Sequence, residues 1–305
     1  MTRHGTVIRA TGSWYEVDSD GEVLDCRIRG RLRLKGVRST NPVVVGDTVV
    51  LSDDARGEWS IDDIRPRRNY VIRRASNLSK ESHIIAANID RALLVVTMHS
   101  PATPVEFVDR FLVTCEAYKI PVTILLAKCD MEEQTEGQNR AFTEIYTSAG
   151  YRVLPVSALR GDGVAEVAEM MSTGTTLLSG NSGVGKSTLV RAICPEIEIR
   201  TGEISESHHK GRHTTTFSTM YTLPSGGRVI DTPGIKGFGL IDIDDAELWH
   251  YFPEMLSRGA DCRFYNCTHT HEPGCAVAEA VASGEIAESR YTSYLKMMDE
   301  DEKYR

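Results

Sequence analysis

The sequence predicts a multidomain chain: an N-terminal all-β, OB-like barrel, a central α/β domain and a C-terminal helical segment. Three observations carry this prediction. Short strands separated by turn residues fill roughly the first 70 residues. From about Arg74 to Asp231, continuous apolar runs alternate with helical periodicity. Cys262, Cys267, His269 and Cys275 then crowd into fourteen residues of an acidic, helical end. The implied boundaries are 1–73, 74–238 and 239–305.

In the first part the expected strands are Thr6–Ala10, Trp14–Val17, Val23–Ile28, Val43–Leu51 and Glu58–Ile61. Gly12-Ser13, Asp20-Gly21, Asn41-Pro42, Gly46-Asp47 and Arg56-Gly57 separate or interrupt them. Five short strands suit a small closed barrel, with the OB-fold as its expected form. The whole chain carries a net charge of −8, yet residues 1–74 hold 14 Lys+Arg against 11 Asp+Glu. Arg27, Arg29, Arg31, Arg33, Lys35 and Arg38 fall within twelve residues that contain no acid. In an extended segment, alternation puts Arg27, Arg29, Arg31 and Arg33 on one face, a row of cations suited to a phosphate backbone.

The central part begins with Arg91–Met98, an apolar run that fits a parallel strand buried on both faces. Val105–Tyr118 shows helical spacing, Val122–Ala127 reads as a second buried strand, Arg140–Ala149 as a helix and Tyr151–Ser157 as a third strand. Thr175–Ser179, Phe217–Leu223 and Arg228–Asp231 complete the alternation that demands an α/β layered sheet. After Gly239 one helix is expected over Ala246–Leu256, another over Ala276–Ser283 and a last one over Glu285–Asp301. In the last, Ile286, Tyr291, Tyr294, Leu295 and Met298 form a core-facing stripe.

Gly180, Asn181, Ser182, Gly183, Val184, Gly185, Lys186, Ser187 and Thr188 lie between the strand Thr175–Ser179 and a helix Thr188–Ile193. This is the phosphate-loop pattern in the context that it requires. Its glycines let successive N–H groups face phosphate oxygens, Lys186 reaches the terminal phosphates and the Ser187 hydroxyl is a Mg²⁺ ligand. Asp231 ends the next strand, and Asp231-Thr232-Pro233-Gly234 fits a turn that holds Mg²⁺ through water and senses the terminal phosphate through the Gly234 N–H.

The base is read from two further segments. Ala127-Lys128-Cys129-Asp130 resembles the guanine-reading Asn-Lys-x-Asp motif, in which Asp130 would accept from guanine N1–H and N2–H while the Lys128 stem crosses the ring. Ser157-Ala158 resembles the segment whose backbone N–H meets guanine O6. Ala127 stands where Asn is usual and offers no side-chain hydrogen bond, a loss of about 1 kcal/mol. The base-reading segments also precede the phosphate loop, so the order is that of a circularly permuted P-loop GTPase domain. The polar, basic stretch 206–216 occupies the place of the first switch, with Thr215 of the run Thr214–Thr216 as Mg²⁺ ligand. Ile235 stands where a water-orienting Gln is frequent, which leaves His213 as the catalytic candidate.

Cys262, Cys267, His269 and Cys275 supply a closed Cys₃His set suited to one structural Zn²⁺, with His271 as a competitor for His269. Such a C-terminal helical zinc-binding domain has little core of its own, and the metal supplies a staple. The other four cysteines are scattered singly, which favours a reducing compartment. No apolar run approaches the ~18–20 residues needed to span a bilayer. A soluble, cytoplasmic protein without a membrane partner is expected, and nothing demands more than a monomer.

Together these segments resemble the circularly permuted ribosome small-subunit-dependent GTPase A family of bacteria. The likeness runs through the barrel, 127–130, 180–188, Gly211-Arg212-His213-Thr214-Thr215-Thr216, 231–234 and the Cys/His cluster. It implies an OB-fold, a permuted GTPase domain and a zinc domain. It further implies GTP hydrolysis to GDP stimulated by the small ribosomal subunit, and binding to that subunit and its rRNA late in maturation. The basic run Arg27, Arg29, Arg31, Arg33 and Lys35 would then meet RNA.

Overall fold

The computed structural model describes residues 2–29, 42–54, 57–74, 82–134, 136–197, 218–231 and 243–302. Five strands, β1 (Thr2–Ala10), β2 (Tyr15–Ser19), β3 (Glu22–Ile28), β4 (Thr48–Asp53) and β5 (Trp59–Ile64), close into a barrel in the order β1-β2-β3-β5-β4-β1. The β3–β5 pair is parallel and its neighbours are antiparallel. Alternation selects the interior: Tyr15, Val17, Leu24, Cys26, Val49, Leu51 and Ile61 are buried together. The strand expected from Val43 starts only at Thr48. Asp47 is the cause: fully buried, it accepts from the Val44 N–H (2.8 Å) and from Arg67 at 2.6 and 2.7 Å, which folds 43–47 into a turn.

A hairpin absent from the sequence reading follows, β6 (Tyr70–Arg74) with β7 (Ser82–Ala87). Ile72, Ile84 and Ala87 pack on Val44 there, under the Tyr70 and Tyr118 rings. The central elements are β8 (Arg91–Val96), α1 (Val105–Ala117), β9 (Val122–Ala127), α2 (Glu136–Ser148), β10 (Arg152–Val156), α3 (Val164–Met171), β11 (Thr175–Ser179), α4 (Lys186–Ile193), β12 (Thr219–Thr222) and β13 (Arg228–Asp231). Their order is β10-β9-β8-β11-β13-β12, parallel except for the last strand. Both faces of β8 are covered: Ala92, Leu94 and Val96 meet Phe111 and Leu112 of α1, while Leu93 and Val95 meet Val167, Met171, Leu189 and Val190.

The chain steps from β8 outward to β9 and β10, then returns with β11 on the other side of β8. This reversal is the topological switch point, where open α/β sheets place their ligands beyond the carboxyl ends of the strands. The barrel joins the same sheet, because β1 pairs with β12 at Arg9 and Thr219. Arg228 adds a donor to the Thr6 hydroxyl (3.0 Å) and an ion pair with Asp18 (3.2 Å).

The single helix expected over Ala246–Leu256 is two: a 3₁₀ helix Asp245–Tyr251 and α5 (Pro253–Gly259). Phe252 is extended between them (φ −113°, ψ 98°), because a proline disfavours helical dihedrals in the residue before it. With α6 (Ala276–Ala282) and α7 (Glu288–Glu302) they enclose Leu248, Phe252, Met255, Val277, Ile286, Tyr294 and Met297, and this core takes in Val113 of α1. No helix among the described residues is long and apolar enough to cross a membrane.

One buried ionic network fastens this region to the central domain. Arg290 of α7 is 1% exposed and donates to Asp109 of α1 (2.7 Å) and Glu254 of α5 (2.6 and 3.2 Å). Tyr146 also donates to Asp109 (2.8 Å), and the Phe252 ring lies 4.7 Å from the guanidinium. Burial pushes the Asp109 carboxyl up from its ordinary range, and Arg290 pulls it back. Removing one member of such a network strands the other charges, at a cost of about 3–5 kcal/mol. Arg290→Met is therefore expected to destabilise by that amount in denaturant unfolding, whereas a loss below about 1 kcal/mol would show that the network does not hold α7 in place.

Candidate nucleotide site and metal centre

Four segments singled out in the sequence meet at the carboxyl edge of the parallel strands. Residues 127–130 follow β9, 157–158 follow β10, 180–185 follow β11, and Asp231 ends β13. The phosphate loop lies tight against β8. At Gly180 (φ 145°) a Cβ would fall 2.3 Å from the Val95 carbonyl oxygen, so only glycine fits. At Gly183 (φ 83°) a Cβ would meet the Pro101 ring at 3.3 Å. Helix α4 opens at Lys186 and presents its N-terminal amides to the loop. The Lys186 ammonium donates to the carbonyls of Gly180 (2.7 Å) and Asn181 (2.9 Å). Burial lowers its pKa and raises that of Asp231, while each charge partly offsets the shift of the other. Ser187 and Thr188 are the next two residues of α4.

The base-reading segments are joined directly. Asp130 accepts from the Ser157 hydroxyl (2.6 Å), and the same hydroxyl accepts from the Arg160 N–H (3.1 Å). Arg160 also reaches the Cys129 carbonyl (3.3 Å) and Asp162 (2.7 Å), so it ties 129 to 157–162, with Ala158 inside the same turn. Lys128 occupies the left-handed region (φ 61°), a conformation that costs on the order of 1 kcal/mol and clusters at functional turns. Its ammonium donates to the Ser100 carbonyl. Ala127 is half-buried against the apolar layer on the α3 and α4 side.

Sequence reasoning missed Arg160 and the loop 97–103. An arginine in a polar turn carries no pattern of its own. The loop stands out only in the strand order, where it leaves β8 at the switch point. Of the other expected residues, Arg31, Arg33, Lys35, His213, Thr215 and Gly234 lie outside the described residues. Arg27 and Arg29 share the outer face of the barrel as alternation requires. Arg27 stacks over Trp14 (3.9 Å to the ring centre), and Arg29 approaches Ser52 (3.2 Å) and Asp62 (3.7 Å).

The structure brings Cys262, Cys267, His269 and Cys275 together, with ligand atoms all within 4.8 Å of one another. His269 Nδ1 lies 3.5 Å from Cys262 Sγ and 3.4 Å from Cys275 Sγ, and the two sulfurs are 4.0 Å apart. A tetrahedral Zn²⁺ with its usual Zn–S length spaces sulfurs about 3.8 Å apart, so the cluster fits a metal ion. His271 is exposed with its Nδ1 on the Thr270 hydroxyl (2.8 Å), which leaves the ligand position to buried His269. Burial lowers the His269 pKa and pushes the Cys267 thiol up to about 12. A cation among the sulfurs would offset that cost by favouring thiolate. Around the cluster, Tyr291 donates to the His269 carbonyl and Tyr294 to the Thr268 carbonyl, both at 2.6 Å. Despite desolvation, the Thr268 hydroxyl (2.6 Å) and the Thr268 and His271 amides, all donating to Glu272, hold its carboxyl well below the ordinary range.

Comparison with known proteins agrees with this arrangement. Residues 64–241 match the RsgA GTPase family and residues 4–61 the RsgA N-terminal domain. The chain is 52% identical to the small ribosomal subunit biogenesis GTPase RsgA of Bacteroides fragilis, over 99% of this chain and 98% of that protein. It is 53% identical to the protein of the same name from Phocaeicola vulgatus, with the same coverage. Among solved structures it resembles YjeQ from Thermotoga maritima (TM-score 0.78, 34% identity, 98% of both chains). It also resembles YloQ, described as a circularly permuted GTPase (TM-score 0.71, 28% identity, 100% of this chain and 96% of that one). With the family matched over most of its length and half of its residues shared with full-length relatives, the chain belongs to the RsgA GTPase family.

Proposed function

We propose that this protein hydrolyses GTP to GDP and phosphate in the late maturation of the small ribosomal subunit, and that it binds the subunit and its rRNA. Binding stimulates hydrolysis, and hydrolysis moves the metal-binding region and releases the protein. The observation that carries this reading is the convergence of 127–130, 157–158, 180–188 and Asp231 on one sheet edge. The names of the relatives support the choice of ribosomal partner.

In this reading Gly180, Asn181, Ser182, Gly183, Val184 and Gly185 wrap the phosphates, Lys186 neutralises the terminal ones and Thr188 adds an early amide of α4. Lys128 and Asp130 read guanine, with Ala127, Cys129, Ser157 and Ala158 shaping the pocket. Asp130 is already aligned by Ser157. Adenine presents the wrong donors and acceptors to Asp130. Ser187 and Thr215 would hold Mg²⁺, which on binding offsets phosphate charge. Asp231 faces this site, Gly234 senses the terminal phosphate and His213 orients the attacking water. Phosphoryl transfer needs mostly positioning and charge stabilisation, which a preformed loop and a buried lysine supply.

The barrel face with Arg27 and Arg29, continued by Arg31, Arg33 and Lys35, contacts rRNA. Zn²⁺ at Cys262, Cys267, His269 and Cys275 staples the C-terminal region. The division into 1–73, 74–238 and 239–305, a cytoplasmic location and a monomeric state belong to the same proposal.

Purified protein is expected to turn over GTP slowly alone and much faster with small subunits, while ATP is left unused. Lys186→Ala should cut the stimulated rate at least about a hundredfold. Equal use of ATP, or no response to subunits, would overturn the reading. Metal analysis should find one zinc per chain. Cys267→Ser should lower both the zinc content and the melting temperature, whereas a metal-free protein of undiminished stability would remove the staple from the proposal.

A further inference from the structure

We infer that the loop 97–103, where the chain leaves β8, is a positioning device that holds the base-reading segment and the phosphate loop at a fixed separation. Its outward contacts are the Ser100 carbonyl on one side and the Pro101 ring on the other. The inference rests on the proposed reading of 127–130 and 180–188 as two ends of one guanine-nucleotide site.

Strands β9 and β11 are not neighbours, since each pairs with β8. Their ends are therefore two strand spacings apart, about 9–10 Å, and nothing in the ladder ties one to the other. The loop 97–103 fills that gap and is closed on itself. The Thr97 N–H donates to the Thr103 hydroxyl (3.1 Å), the Thr103 N–H to the Thr97 carbonyl (2.8 Å) and the Thr97 hydroxyl to the Pro101 carbonyl (2.6 Å). Both threonines are buried, at 1% and 7% exposure. From this clamp two contacts reach outward. The Ser100 carbonyl accepts from Lys128, and the Pro101 ring stands 3.3 Å from where a Cβ on Gly183 would be. One small knot thus bonds to one half of the site and borders the other.

The consequence is specific to a ligand with two ends. A nucleotide gains from binding both halves at once only while their separation matches its own, as linked binders do. Loosening the knot should weaken the joined ligand and spare its parts. Thr97 and Thr103 are positioning residues, since neither reaches the ligand in this reading.

The test compares full-length wild type, Thr103→Val, which removes the acceptor of the Thr97 N–H, and Thr103→Ser, which keeps it. Dissociation constants are measured for GDP, for ADP, and for guanosine and magnesium pyrophosphate, each alone. Losing the one buried hydrogen bond is expected to raise the GDP constant of Thr103→Val about five- to tenfold. Thr103→Ser should bind GDP as wild type does, and guanosine and pyrophosphate should bind all three proteins alike. A generally damaged fold would reduce the active fraction and would not make this distinction between whole and half ligands. Unchanged GDP binding by Thr103→Val, or equal losses for GDP and for each half, overturns the inference. If Thr103→Val fails to fold, Thr97→Val, which removes the hydroxyl that donates to the Pro101 carbonyl and leaves the proline in place, undergoes the same comparison with the same expected pattern. A wild type that binds ADP as tightly as GDP would overturn the nucleotide reading itself.

Discussion

A parallel strand covered by helices on both faces can send its backbone hydrogen bonds only to its two neighbours, and β8 is the strand on which this demand falls hardest. It pairs with β9 on one edge and β11 on the other, although β11 comes far later in the chain. The base-reading segment hangs from one of these neighbours and the phosphate loop from the other. The Val95 carbonyl leaves room only for glycine at position 180. Displacing β8 would therefore move both halves of the candidate site, and its buried apolar residues on either face resist that displacement.

The same sheet carries the barrel. Through β12 and Arg228, β1 is continuous with the strand that ends in Asp231. The C-terminal region is attached differently, by an apolar contact at Val113 and by the buried charges around Arg290. A barrel in one hydrogen-bonded frame with the central sheet, and a metal region docked through side chains, give two kinds of attachment of unequal stiffness. Backbone ladders bend little, whereas a side-chain interface with two alternative arrangements can switch.

Much of this was legible in the residues. Apolar runs marked β8 and β9 because strands buried on both faces carry no alternation to confuse with a helix, and β11 was marked by the phosphate loop that follows it. The phosphate loop and the Cys₃His set were legible because their chemistry fixes residue type and spacing at once. The strand start at Val43 and the helix across Phe252 were misread for opposite reasons. In the first, Arg67, twenty residues away, pulls Asp47 into a turn that no local pattern announces. In the second, the warning was local: Pro253 was outweighed by helical spacing on both sides. The hairpin β6–β7 and the loop 97–103 were not legible, since both are defined by what lies across from them. Arg290 was hidden for a related reason. A charged residue inside an apolar stripe reads as surface until its two carboxylates, on other helices, are seen.

The separation of β8 from β11 has a further consequence during synthesis. Strand β8 begins at Arg91 and its second partner at Thr175. At the usual pace of translation, the 84 positions from the one start to the other take about 4–17 s to appear. From the completion of β9 at Ala127 onward, β8 has one neighbour and an open, apolar edge on its other side, the kind of edge that invites pairing with foreign strands. The order of segments that brings base reading ahead of phosphate binding thus leaves the central strand of the sheet half-paired until β11 follows.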